Sequence, residues 1–138
     1  MFDKKFFLAW IAAFVAWFVG TYVVNVYLID YSAIAGLMRP WEEELQRYPV
    51  LILADLILTG SFVRFYVRGL ERKPWLPQGL GFGLAAALLS AVPMSMRYFD
   101  AEPVPVAMLV QQIVYFIALM MILGALVGFL YRDAPRAA

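Results

Sequence analysis

The sequence predicts an all-α polytopic membrane protein. We expect one domain of four transmembrane helices in an antiparallel bundle, with a short interfacial helix in the first outer loop. Three observations carry this. The 138 residues are 64% apolar and 15% charged, against about 45–50% and about 25% in soluble domains. Four runs are apolar over the length that crosses a hydrocarbon core, about 20 residues of helix. The basic residues are shared unevenly between the loops that those runs define. Strands are not expected, because the runs are continuous whereas strands of membrane barrels alternate. No loop is long enough to fold alone, so residues 1–138 read as a single transmembrane domain.

The first span covers about 6–28 and carries no charge. Lys4 and Lys5 precede it as in a secretory signal, but its apolar stretch is too long and no A-x-A site follows, so it is expected to be retained. The stretch from Asp30 to Tyr48 is too long for a tight turn. Within it, Pro40 at a first helical position and Glu42, Glu43 and Glu44 behind it predict a short helix lying at the outer surface. The second span covers about 49–67 and contains Asp55, with Arg64 near its end. The turn Arg68-Gly69-Leu70-Glu71-Arg72-Lys73-Pro74-Trp75 is basic, with a Trp at headgroup level. It reads first as an orientation signal and alternatively as a site for anionic lipid. The third span covers about 80–96 and the fourth about 104–130, joined by the short stiff link Asp100-Ala101-Glu102-Pro103-Val104-Pro105.

Charge then sets the orientation. With the N-terminus in the cytoplasm, Lys4, Lys5, Arg64, Arg68, Arg72, Lys73, Arg132 and Arg136 lie inside, and only Arg39, Arg47 and Arg97 of the eleven basic residues lie outside. Both termini are expected in the cytoplasm.

Helices in lipid gain little from burying apolar surface, so close packing of small residues matters more. Gly79, Gly83, Ala87 and Ala91 make a stripe at spacing four on span three, and Gly124 and Gly128 repeat that spacing on span four. In an antiparallel arrangement the two stripes meet at one depth. They serve either packing within the chain or a homodimer.

Polar groups inside a membrane are expensive and each needs a reason. Asp55 is expected about 9 Å inside the outer end of span two, at roughly 1.5 Å per residue. Asn25, Gln111, Gln112, Thr59 and Tyr115 fall at a similar level, and Arg97 caps the outer end of span three. In one reading they are structural glue, with Asp55 pairing with Arg97 or accepting from Gln111 or Asn25. In the other, Asp55 lines a cavity open to the outside and binds a cation or a proton. Pro93 predicts a kink in span three, since it frees the carbonyl of Leu89. The aromatic stripe Trp10, Phe14, Trp17 is read as lipid or neighbour packing.

With no His and no Cys, imidazole catalysis, haem ligation, thiol redox chemistry and thiol-bound metal are excluded. No metal site and no cofactor are expected, and no nucleic-acid partner.

The run Phe18-Val19-Gly20-Thr21-Tyr22, the amphipathic outer stretch and Gly79-x-Gly81-Phe82-Gly83 at the start of span three resemble small uncharacterised bacterial integral membrane proteins of four spans. That resemblance implies the bacterial inner membrane and no particular activity. In size the chain is also similar to the small multidrug resistance transporters, which are four-helix dimers. Their essential acid lies in the first span, where this chain has none, and their charge bias is weak, where this one is strong. The leading functional expectation is a non-enzymatic inner-membrane protein that assembles with itself or with another membrane protein. The alternative is a small transporter, channel or ligand-binding protein using the cluster around Asp55 and Arg97. An enzyme acting on a lipid is a third reading.

Overall fold

The computed structural model describes residues 2–38 and 40–134, so Arg39 and Arg136, both used in the orientation argument, lie outside the described residues. Every regular element among the described residues is helical. Four helical stretches are long and apolar enough to cross a membrane: Lys4–Leu28, Trp41–Arg68, Trp75–Ala101 and Val106–Leu130.

Helix α1 (Lys4–Val23) begins where the Asp3 carboxylate accepts the Phe6 N–H at 2.9 Å. This is the usual cure for an orphaned first-turn donor. Its last turn widens into a π-helical segment, Val24–Leu28, in which the Ile29 N–H reaches the Val24 carbonyl at 2.9 Å. A short 3₁₀ helix, Ser32–Leu37, follows.

Helix α2 (Trp41–Arg68) differs from the expectation at its start. The acid-rich residues expected to form a short separate helix are the first two turns of one helix of 28 residues, which runs on through Pro49. Proline's fixed φ is compatible with a helix, and what it removes is one donor. Here that donor would have served the carbonyl of Leu45, an exposed residue, so another donor can replace it. Glu42, Glu43 and Glu44 sit in the first turn, where the helix dipole favours negative charge.

The third long stretch is two helices, α3 (Trp75–Leu89) and α4 (Ala91–Ala101), joined at Ser90 with φ −123° and ψ −72°. Pro93 has no N–H to offer Leu89. The Ser90 hydroxyl donates to the Ala86 carbonyl at 2.6 Å, and the Ser90 N–H donates to the same oxygen at 3.0 Å. Helix α5 (Val106–Leu130) then runs unbroken.

The tightest helix pair is α3 with α5. A Cβ added at Gly79 would collide with the carbonyl oxygen of Gly124, and one at Gly83 with that of Met120; one at Gly128 would come within 2.7 Å of the Trp75 carbonyl oxygen. Residue numbers fall along α5 as they rise along α3. The two small-residue stripes thus meet within one chain, with Gly79, Gly83, Ala87, Gly124 and Gly128 all buried. Ala91 is half-buried against the core.

Helix α1 packs chiefly on α2 and α5. Its buried face is Phe6, Ala9, Ala13 and Trp17, at the three-to-four spacing of one helix side. Residues after Ala54 supply the buried face of α2: Asp55, Thr59, Phe62, Val63 and Tyr66. The start of α1 and the end of α5 are neighbours, since the Lys5 ammonium lies 5.0 Å over the Tyr131 ring. Burial pushes the Tyr131 phenol above the ordinary tyrosine range, and the nearby Asp3 carboxylate adds to the rise. The Arg64 guanidinium lies 5.3 Å over the Phe2 ring.

Candidate functional site

Asp55 lies at the midpoint of α2 and is buried, 9% exposed. Its partner is on α1. The Trp17 indole N–H donates to Asp55 Oδ1 at 3.0 Å, a buried bond between residues 38 apart in sequence. Thr59, fully buried one turn on, donates its hydroxyl to the backbone carbonyl of Asp55 at 2.7 Å. The Trp17 ring also lies 6.3 Å from the Phe116 ring of α5, so one indole joins three helices. Trp10, two turns earlier on α1, repeats the device: its N–H donates to the Leu56 carbonyl at 2.9 Å.

Arg97 is not part of this arrangement. Its side chain is exposed, and among the described residues no ion pair joins it to Asp55. Nor does Asp55 accept from Gln111 or Asn25; its donor is the indole. Ser95, two residues before Arg97, is buried.

Asn25 and Gln112 belong to a second polar group, arranged around Tyr31. The Tyr31 hydroxyl donates to Asn25 Oδ1 at 2.6 Å, and the amide of buried Gln112 lies beside it. Burial pushes the Tyr31 phenol above the ordinary tyrosine range, Gln112 acts the other way, and neighbouring Tyr98 adds to the rise. This group ties the wide last turn of α1 and the loop after it to α5. Nearby, the exposed carboxylate of Asp30 accepts the Ser32 N–H at 2.9 Å, which holds its pKa below the usual range.

Gln111 is half-buried, and no hydrogen bond among the described residues joins its side chain to this group. Tyr115 faces elsewhere, lining with Val19, Val23 and Leu119 an apolar groove of about 530 Å³ between α1 and α5. The single outer-leaflet cluster expected from the sequence is therefore two separate structural groups. One is Trp17, Asp55 and Thr59. The other is Asn25, Tyr31 and Gln112.

The residues that sequence reasoning missed are Trp17 and Tyr31. A signal for Trp17 exists: Asp55 needs a donor, and α1 offers an indole N–H near its own middle. Read as part of an aromatic stripe, Trp17 counted only as apolar surface. Among the described residues no group of three or more His, Cys, Asp or Glu side chains could hold a metal ion. Compared with known protein families, with curated proteins and with solved structures, the chain matches none.

Proposed function

We propose that this chain is a bacterial inner-membrane protein with four spans and both termini in the cytoplasm. It acts non-enzymatically, by lateral assembly with a second copy of itself or with another membrane protein. The opposed running of residue numbers in the α3–α5 seam and the nearness of Lys5 to Tyr131 support an antiparallel bundle whose two ends lie on one side. Trp41 and Tyr48, whose rings are 5.9 Å apart, and the acids between them support an interfacial position for the first turns of α2.

One observation carries the assembly reading. Residues 50–53 of α2 are apolar and stay exposed among the described residues. Val50, Leu51, Ile52 and Leu53 are 71%, 44%, 37% and 57% exposed, although four consecutive residues point all round a helix. Only beyond them does α2 bury a face. The glycine seam is filled by α3 and α5 of the same chain, so a second copy would use this surface and not the small-residue stripes.

The transport or ligand-binding alternative draws less support. Asp55 is engaged by Trp17, and neither the α1–α5 groove nor the cavity at the α2–α3 turn is lined by Asp55 or Arg97.

The chain has no Cys, so one introduced thiol reports unambiguously. In intact membranes, a photoactivatable cross-linker attached to Leu53→Cys should give a product of twice the mass or a product with a heavier partner. Leu88→Cys, exposed on α3, should give far less. Equal and low cross-linking at both positions overturns assembly through α2.

A further inference from the structure

An open cavity of about 290 Å³ lies at the turn between α2 and α3, and Asp55 does not line it. Tyr66, Gly69, Glu71, Lys73, Gln78 and Phe82 line it. Three features of this lining describe a ligand.

The first is Gln78. Its Nε2 donates to the Gly69 carbonyl at 2.9 Å, which orients the amide. Its Oε1 is buried and accepts from no group among the described residues. A buried acceptor without a donor is costly, and this one is open to an N–H or O–H of a ligand. The second is the Glu71–Lys73 ion pair at the mouth, whose side chains are 58% and 62% exposed. Exposed pairs of this kind are weak, and this one presents a carboxylate beside an ammonium. The third is the aromatic wall, with the Tyr66 and Phe82 rings 5.4 Å apart and edge to face. A cation is favoured near such rings.

An acceptor, a carboxylate and an aromatic wall complement a ligand ammonium, and Lys73 complements a phosphate. Gly69, Glu71 and Lys73 of the lining lie in sequence between Arg68 and Trp75, residue types that mark headgroup depth when the helices beside them cross a bilayer. We propose that this cavity binds the zwitterionic headgroup of a phospholipid bearing a primary ammonium, of the phosphoethanolamine type. The ammonium donates to Gln78 Oε1 and Glu71, and the phosphate meets Lys73. Phosphocholine has no N–H to donate, and an anionic headgroup without an ammonium would face Glu71 unfavourably. The inference rests on the membrane reading of the four spans.

The test uses the full chain in nanodiscs of equal parts phosphatidylethanolamine, phosphatidylcholine and phosphatidylglycerol, with the lipid retained on detergent extraction read by native mass spectrometry. Phosphatidylethanolamine should be retained about tenfold over each of the others. Gln78→Leu should bring the three to parity. Glu71→Gln, on an exposed side chain that does not threaten folding, should reduce the preference at an unchanged detergent melting temperature. Equal retention by the unaltered chain, or preference for phosphatidylglycerol, overturns the proposal. Stabilisation by free phosphoethanolamine without retention of the lipid assigns the cavity to a soluble ligand and also overturns it. Alkaline extraction of native membranes checks the spans separately. A chain that stays with the membrane but shows no headgroup preference refutes the cavity assignment alone.

Discussion

The two closest helix pairs are held by opposite means. Between α3 and α5, Gly79, Gly83, Gly124 and Gly128 let one backbone lie on the other. Between α1 and α2, large side chains reach across. Trp10 and Trp17 each donate an indole N–H, one to a backbone carbonyl and one to a carboxylate. In lipid, where apolar burial between helices contributes little, these are the two available sources of adhesion: close dispersion contact and interhelical hydrogen bonds. The chain uses one for each half. The contrast teaches that small residues and buried polar residues are alternative solutions to one problem, and that each half should fail in its own way.

The largest expected failure is in the glycine seam. Gly79→Ala or Gly124→Ala places a Cβ against a backbone carbonyl that cannot turn aside. We expect a loss of about 3 kcal/mol or more, read as unfolding in detergent. Gly60→Ala is the matched control on the other pair. An added Cβ there comes within 2.9 Å of the Trp10 ring, a side chain rather than backbone. Its cost should be about 1 kcal/mol. Equal costs at the two positions would break the comparison.

A smaller effect belongs to the hooks. A double-mutant cycle of Trp17→Phe with Asp55→Ala should give a coupling of about 0.6–1.7 kcal/mol, the range for interhelical bonds in a bilayer protein. A coupling near zero would mean that Trp17 holds α2 by bulk alone. The same cycle with Arg97→Ala in place of Trp17→Phe should give no coupling, because Arg97 forms no ion pair with Asp55.

The smallest effect concerns Tyr31. Its folded pKa is raised, chiefly by burial, so the folded chain holds that proton more tightly than the unfolded one. This contribution to stability is complete below the ordinary tyrosine pKa and is lost as pH rises through the raised value. Tyr31→Phe should flatten that alkaline loss in a pH series of detergent melts. An unchanged slope would detach the Asn25–Tyr31–Gln112 group from the stability of the bundle.

The sequence made some of this plain and hid the rest, for physical reasons. The four spans are legible because hydrophobicity over a helix length is a local property. The seam is legible because Gly79, Gly83 and Ala87 recur at a helical period and the same spacing returns at Gly124 and Gly128. The start of α2 is not, because a helix that leaves apolar surroundings can continue through Trp41–Tyr48 with first-turn acids on its dipole and no side-chain cap. Counting from Pro49 rather than Trp41 also placed Asp55 near an end instead of at a midpoint. Its partner depends on how α1 is rotated against α2, which no single helix encodes. Arg97 seemed the natural answer to a buried acid because opposite charges are conspicuous in a list of residues. An indole donor is not.

The interruption at Ser90 has a mechanical consequence. It divides the third span into a segment seated on the glycine seam and an eleven-residue rod, α4, beyond it. That rod is about 16 Å long, so a rotation of roughly 10° at the joint would swing its far tip by about 3 Å. The seated segment would stay where it is. The span is thus an anchored lever, and Ser90 is its fulcrum.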